Sequence, residues 1–249
     1  MITFAIKKNT PVKSVHGFTL IEILIVLAIV GMMMSAVYAV HIANIRAIDV
    51  EAERVEIQQD QRISLDFITR QLRMAGYDKE ESLLPKLEDA RSNFIYYTAD
   101  FNADGDVDDA GEHVAFCIYD SAGSGRMLSY ITGSNDDVGK VGSTTGALAI
   151  GHTHTNQPHQ PFAPIQDLEF FYTLKDGTTT TAPTTMQLED IRSVAVTIVT
   201  RADTPDPRWT DNTVYIPASG DAFNNGDAYG DNFRRRMMTA NIRFRNLGL

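Results

Sequence analysis

The chain has 249 residues, of which 43% are hydrophobic and 22% are charged, and its formal net charge at pH 7 is −10. This composition excludes a disordered chain and allows one substantial hydrophobic core, with room for a second small lobe. The first 17 positions hold three lysines and no acidic residue, which leaves about −13 on the remainder. An acidic body without a basic, aromatic-rich face repels phosphate backbones, so nucleic acid is not an expected partner of the head.

The first predicted element is an apolar segment from Phe18 to Ile45. As an α-helix, its part from Phe18 to Ala43 would span about 39 Å, more than the roughly 30 Å of hydrocarbon in a bilayer. The lysines precede this segment and the acidic bulk follows it. The positive-inside rule therefore predicts a single-pass protein of the inner membrane, with a cytoplasmic N-terminus and a periplasmic head.

Glu22 bears on two other interpretations of this segment, a cleavable secretory signal and an ordinary signal anchor. A secretory cut after Ala39 would satisfy the small-residue rule, with Val37 and Ala39 at the required places. An unpaired carboxylate inside an apolar segment costs several kcal/mol, however, and neither kind of signal needs one. The sequence therefore predicts a partner that pairs the charge.

The string GFTLIEILIVLAIVG, which starts at Gly17, resembles the class III signal of type IV prepilins and pseudopilins. The resemblance implies that a prepilin peptidase in the membrane cuts after Gly17 and methylates the new amine of Phe18. It also implies that Glu22 meets the N-terminal amine of a neighbouring pilin or pseudopilin during filament assembly. Such a buried pair would set the stagger of subunits, because an unpaired charge penalises every other register.

Beyond the membrane, an amphipathic stem is expected to continue the helix. Leu65, Ile68 and Leu72 recur on one helix face, and Gly76 is a stop signal. Short alternating segments then predict an antiparallel sheet of about six or seven strands. The predicted parts are a leader at 1–17, a membrane and filament-core helix at 18–44, the stem at 45–76 and a β-rich head at 77–249. An apolar sheet face needs a cover, so the predicted fold is α+β and pilin-like, with the long helix packed on the sheet.

The segments DLEFFY, IRSVAVTIVTR and RRRMMTANIRFRNLGL resemble the PilW-like class of minor pilins. A J-type pseudopilin of a type II secretion system shares this layout and remains an alternative. Major pilins commonly carry a proline where Ala39 stands, and many close a disulfide that the single cysteine, Cys117, does not allow. The resemblance thus implies a minor pilin, a structural and assembly subunit of a type IV pilus.

The string DFNADGDVDDAGE at 100–112 follows the spacing of a calcium loop of the EF-hand or dockerin kind. The candidate ligands are Asp100, Asn102, Asp104, Asp106 through its carbonyl, Asp108 and Glu112. Gly105 permits the sharp turn, whereas Glu112 comes one residue later than the expected last ligand. The alternative is an acidic surface turn, but five acids within nine residues repel strongly without a cation. We therefore expect one structural Ca²⁺ in a loop between two strands.

The head shows no motif for catalysis: no nucleophile elbow, no HExxH and no phosphate loop. Three histidines in the string GHTHTNQPHQP could meet a metal, but no acid or cysteine nearby completes the ligand set, so a polar loop is expected. These are His152, His154 and His159. A protein without catalytic activity is therefore predicted, and a signal-anchored periplasmic enzyme or binding protein is the alternative from another class.

Arg234, Arg235 and Arg236 form a basic triplet in front of the last predicted strand. The expected interpretation is a solvated loop end whose charge is balanced by Asp227 and Asp231. The alternative is a patch that docks another subunit.

Overall fold

The computed structural model describes residues 17–79, 86–109, 111–121, 125–133 and 160–247. Its main elements are α1 (Leu20–Met74), β1 (Leu87–Ala90), β2 (Phe94–Thr98), β3 (His113–Ser121), β4 (Gly125–Gly133), β5 (Gln160–Leu174), β6 (Thr179–Thr180), β7 (Ile191–Arg201) and β8 (Arg235–Arg243). Short 3-10 helices lie at Thr185–Asp190 and Asn224–Gly226. The chain divides into two compact units after Glu51, inside α1, so the unit that begins at Ala52 contains the sheet and the stem from Ala52 onward.

The part of α1 that belongs to the first unit is apolar and exposed. Every residue from 17 to 40 is exposed, and an 18-residue window has a mean hydropathy of 2.6 with none of it buried. By length and composition, this helix could cross a membrane. Because water disfavours so much bare apolar surface, a bilayer or neighbouring helices are expected to cover it.

The strands form one 8-stranded antiparallel sheet in the order β1-β2-β3-β4-β5-β7-β8, with β6 paired to β5. The registers of β2 with β3, β3 with β4 and β7 with β8 run without interruption. Register shifts interrupt the pairs β1–β2, β4–β5 and β5–β7. The predicted fold of a long N-terminal helix and an antiparallel sheet is confirmed, and the short strands β1 and β6 were not expected.

The stem packs on one face of the sheet. Leu65, Ile68 and Leu72 lie in one buried cluster with the inward side chains of β2, β3, β5, β7 and β8. Phe67 adds edge-to-face contacts, with ring centroids 5.9 Å from Phe116 and 5.0 Å from Tyr130. The apolar stripe read from the sequence is therefore the cover of the sheet, as predicted.

The other face of β5 and β7 is covered as well. Thr197 is fully buried although it points away from the stem. The connection between β7 and β8 reaches this face, because the Ser219 hydroxyl donates to Glu169 Oε1 at 2.6 Å and the Tyr229 hydroxyl donates to Asp167. Residues 219–233, a polar stretch of this connection, thus form part of a second layer on the head.

The C-terminal segment closes the end of α1. Gly76 has φ +71°, and a Cβ at this position would lie 2.5 Å from Leu247 Cδ2. The Asn246 amide donates to the carbonyls of Arg73 at 3.3 Å and Ala75 at 3.4 Å. These contacts satisfy carbonyls that a helix end leaves without intrahelical partners. The predicted stop at Gly76 agrees with a helix that ends at Met74.

The arginine triplet differs from its prediction as a solvated loop end. The Arg235 side chain is 1% exposed and pairs with Asp211 at 3.1 Å and Asp231 at 2.6 Å. Arg234 pairs with Asp206 at 2.7 Å and with Glu53 of the stem at 3.4 Å. The predicted balance of charge by Asp231 is present, but the solvated loop end was wrong for these two arginines, because Glu53, Asp206 and Asp211, distant in sequence, pair with them and help to bury them.

Candidate functional site

The N-terminal motif enters α1 through a capping box. Gly17, Phe18 and Thr19 precede the helix, which begins at Leu20. The backbone N–H and the hydroxyl of Thr19 both donate to Glu22 Oε2 at 3.2 Å, and the Glu22 N–H donates to Thr19 Oγ1 at 3.3 Å. These reciprocal bonds satisfy backbone donors of the first turn, and the carboxylate lies at the positive end of the helix dipole.

This cap gives Glu22 a local role that the sequence reasoning did not include. Within the described residues, the carboxylate bonds to Thr19 and forms no ion pair. Glu22 and Phe18 are exposed, so the acid and the proposed new N-terminus are both accessible to another molecule. The same side chain can therefore cap its own helix and attract an external amine.

The acidic loop, residues 99–112, connects β2 to β3 and is held by a buried carboxylate at each end. Asp100 is fully buried and accepts the N–H of Ala103 at 2.5 Å and of Gly105 at 3.2 Å. Glu112 is 2% exposed and accepts the N–H of Phe101 and of Asp109, each at 3.2 Å. The two acids thus bond to backbone donors within the loop and fix its curvature.

Three of the six predicted ligands converge. Asp100, Asp104 and Glu112 each offer a carboxylate oxygen, and these oxygens all lie within 4.8 Å of one another. Glu112 joins the cluster although it comes one residue late. The backbone explains this, because Ala103 and Gly111 take left-handed conformations with φ of +63° and +104°, which curl the loop back on itself.

The other predicted ligands contribute differently. The Asn102 amide donates to Asp104 Oδ2 at 2.9 Å and to Asp109 Oδ2 at 2.7 Å, so Asn102 borders the cluster. Asp106 and Asp108 are exposed, and their side chains are not part of the cluster. Asp109 was not predicted, although its position inside the same acidic string was a usable signal.

His113 anchors the loop from below and was also missed. Its Nε2 lies 2.7 Å from the Val107 carbonyl, and its Nδ1 lies 2.5 Å from the Tyr96 hydroxyl. His113 is 3% exposed. The loop is therefore tied to the sheet at both ends and at its centre. An all-oxygen cluster on such a base has the chemistry of a site for a hard divalent cation.

Residues 12–38 match the family model described as the prokaryotic N-terminal methylation motif. The matched range contains Gly17, Phe18 and Glu22. The chain thus carries the N-terminal signal of type IV pilin-like proteins. No curated protein matches the chain. Among solved structures, the type IV-like pilin TTHA1219 from Thermus thermophilus matches with 12% identity and a TM-score of 0.46, over 77% of this chain and 98% of that one.

The head also contains a cleft of about 410 Å³ beside β5, separate from the acidic loop. Arg126 donates to Asp167 Oδ1 at 3.0 Å inside it. Burial raises the pKa of Asp167 to about 6, although the positive charges of Arg126 and Arg235 lower it. Sequence reasoning could not find this group, because its partners come from β4 and from the β7–β8 connection.

The histidine prediction concerns residues outside the described ranges. His152, His154 and His159 all fall between 133 and 160, and the polar loop predicted for them stays a prediction.

Proposed function

We propose that this protein is a minor pilin, a structural and assembly subunit of a type IV pilus. The observation that carries the proposal is the methylation motif at 12–38, which includes the start of the exposed apolar helix. The motif's residues have the access that processing and assembly require, since Gly17 and Phe18 precede the helix and are exposed. The sheet, covered by the stem, then forms a folded head that can contact other subunits in a filament.

In the proposed sequence of events, prepilin peptidase cuts after Gly17 and methylates the amine of Phe18. The apolar part of α1 stays in the inner membrane and then enters the filament core, and the head lies in the periplasm. Glu22 attracts the amine of a neighbouring subunit, because an anion without an ionic partner is strongly disfavoured in an apolar core. The protein is a structural subunit in this scheme and needs no catalytic residue of its own.

The experiment that tests the proposal is the mass of the mature protein isolated from its native membrane. We expect a chain that begins with N-methylated Phe18. The matched variant is Gly17→Glu, which should keep the leader attached because a charged side chain takes the place of a residue without a Cβ. An uncut chain in the wild type, or normal shortening of the variant, would contradict the proposal and favour a signal anchor.

A J-type pseudopilin of a type II secretion system would have the same motif and the same mature N-terminus. The two functions differ in what is lost on deletion of the gene. Loss of surface pili with unchanged secretion supports the pilus, whereas retained pili with lost secretion supports the pseudopilin.

We further propose that the acidic loop holds one structural Ca²⁺. Asp100, Asp104 and Glu112 would supply carboxylate oxygens, and Asn102, Asp106 and Asp108 remain the other candidate ligands. The fit rests on the donor set, since three carboxylates within 4.8 Å, two of them buried, repel one another without a cation. A bound cation would brace a loop that no disulfide can brace, because the one cysteine, Cys117, is free.

The calcium proposal is tested by thermal unfolding of the full chain in detergent micelles. Ligand binding to the folded state alone stabilises by about 2.7 kcal/mol when calcium is a hundred times the dissociation constant. The melting temperature should therefore rise with calcium and fall in chelator, and magnesium should substitute poorly. Asp104→Ala should abolish the shift. Asp106→Ala should keep it, because that side chain lies outside the cluster. A melting curve that chelator leaves unchanged would rule out the cation.

A further inference from the structure

The outer edge of β8 is open. β8 is the last strand of the sheet. The backbone N–H and C=O groups of its even-numbered residues point toward β7, as the bond from the Phe244 N–H to the Arg192 carbonyl at 3.1 Å shows. Backbone groups alternate in direction along an antiparallel strand, so the N–H and C=O groups of the odd-numbered residues point away from β7. In the part of the chain that the structure describes, no backbone partner meets these residues on that side. They are Arg235, Met237, Thr239, Asn241 and Arg243.

The open edge is reachable from solvent. Thr239, Asn241 and Arg243 are exposed, and Met238, just before them, is 37% exposed. The Arg235 side chain is 1% exposed, but the residue as a whole is not buried. Its main chain is therefore the accessible part. The N–H and C=O groups of these odd-numbered residues thus have no backbone partner among the described residues.

β8 carries arginines near its ends, but it lacks the short length, the bulge and the proline that often protect an edge strand. It has nine residues, pairs with β7 without a register shift, and contains neither proline nor lysine. The opposite edge, β1, has four residues and a register shift against β2. Short length and a bulge are common ways to prevent strand addition. One edge of this sheet is thus protected, whereas the other is long, regular and available.

Unpaired positive charge lies at both ends of this edge. Arg236, Arg243 and Arg245 are exposed, and the ion pairs among the described residues involve none of them. Arg243 and Arg245 lie on one face at the C-terminal end of the edge, and Arg236 lies at its N-terminal end, on a chain whose net charge is −10. Arginine presents a rigid fork of donors that fits carboxylates. The charges therefore select an acidic partner.

We propose that the β8 edge binds an extended, acidic segment of another protein by strand addition. Main-chain hydrogen bonds to the odd-numbered residues would give affinity, and the arginines would give specificity. A second copy of this chain fits poorly, since pairing of β8 with itself brings the exposed arginines of both copies, Arg236, Arg243 and Arg245, to one strand pair, where like charges are unfavourable. The filament function is not needed for this inference, because the edge belongs to the head itself.

The test uses the full-length protein in detergent micelles and a synthetic peptide, acetyl-Glu-Glu-Thr-Val-Thr-Val-Thr-Glu-Glu-amide, titrated by fluorescence anisotropy. We expect saturable binding that weakens with salt. Asn241→Pro should lower the affinity about tenfold or more while the melting temperature stays nearly unchanged, because the lost N–H faces outward and not toward β7. Asn241→Ala, the matched control, should bind as the wild type does.

Two further arms separate main-chain recognition from simple charge attraction. The same peptide with N-methyl groups on alternate residues should bind at least about tenfold more weakly. The double variant Arg236→Glu with Arg243→Glu should lose the acidic peptide and prefer a version with lysine in place of glutamate. Equal binding of the N-methylated peptide, unchanged binding by Asn241→Pro, or no saturable binding overturns the proposal. Self-association that Asn241→Pro removes would assign the edge to a second copy and overturn it as well.

If the peptide does not bind, the expected mass of the mature protein does not change. An uncut N-terminus would likewise leave the β8 edge as it is. The two proposals can therefore fail separately.

Discussion

Glu22 shows how one residue can serve a local and an intermolecular purpose. Its carboxylate accepts two hydrogen bonds from Thr19, which caps the helix that begins at Leu20. The same carboxylate is the group that the methylation motif assigns to filament assembly. A glutamine could still accept the capping bonds but would carry no charge, so substitution separates the two roles.

We predict that Glu22→Val is cut and inserted normally but assembles poorly, because the charge partner is lost while the helix becomes more apolar. Glu22→Gln should assemble equally poorly if the charge is decisive. Incorporation into sheared filaments, quantified by immunoblot against total membrane protein, is the measurement. Wild-type incorporation of the glutamine variant would show that capping alone is required.

At the scale of the element, the end of α1 depends on Leu247, which is 171 positions from Gly76 along the chain. Gly76 supplies the left-handed turn, and Leu247 packs where a Cβ would lie. The stop signal is visible in the sequence, but the contact that makes the glycine necessary is not. Helix ends in this head are therefore fixed by packing as well as by local preference.

We predict that Gly76→Ala lowers the free energy of unfolding by about 1–3 kcal/mol, from left-handed strain together with the displaced Leu247 side chain. Gly177→Ala is the matched control, since Gly177 has φ +86° and no atom within 4 Å of the added Cβ. It should cost only the strain, about 1 kcal/mol. The measurement is denaturant unfolding in micelles. Equal losses in both variants would mean that the Leu247 contact is unimportant.

On the scale of the whole molecule, charged groups are buried between the sheet and the β7–β8 connection. Arg235 lies within a shell of acids and has its guanidinium 3.9 Å from the ring centroid of Tyr229. Asp167 lies on the same face and carries a raised pKa because burial disfavours its charge. Removal of one partner from such a network leaves an uncompensated buried charge, which is strongly destabilising.

The raised pKa of Asp167 predicts a pH dependence of head stability. The pKa of Asp167 is about 6 in the folded protein and ordinarily 3.8. Between pH 3.8 and about 6 the folded state therefore binds more protons than the unfolded state. Stability from this group is therefore present below 3.8 and lost as the pH rises through about 6. The loss is at most about 3 kcal/mol, the free energy of a two-unit pKa difference.

We predict that the free energy of unfolding of wild type, relative to Asp167→Asn, decreases from pH 4 to pH 7. Asp176→Asn is the contrasting control, because hydrogen bonds from Thr178 lower the pKa of the exposed Asp176 and reverse the sign. Chemical unfolding at four pH values measures both differences. A wild-type to Asp167→Asn difference that does not change with pH would contradict the raised pKa.

The sequence by itself determined the features that depend on local pattern. The methylation motif, the long apolar helix, the stripe of Leu65, Ile68 and Leu72, and the alternation of the main strands are all visible as spacing, because period and hydropathy decide them. The carboxylates at the start of the acidic loop, Asp100 and Asp104, belong to this group for the same reason.

Only the tertiary structure decided what depends on residues far apart in the chain. It buried Arg235 beside Asp211, placed the β7–β8 connection on the second face of β5 and β7, and left the outer edge of β8 without a backbone partner among the described residues. None of these follows from spacing, because each requires segments tens of residues apart to approach within a few ångströms, and only the packing of the whole head specifies which segments meet.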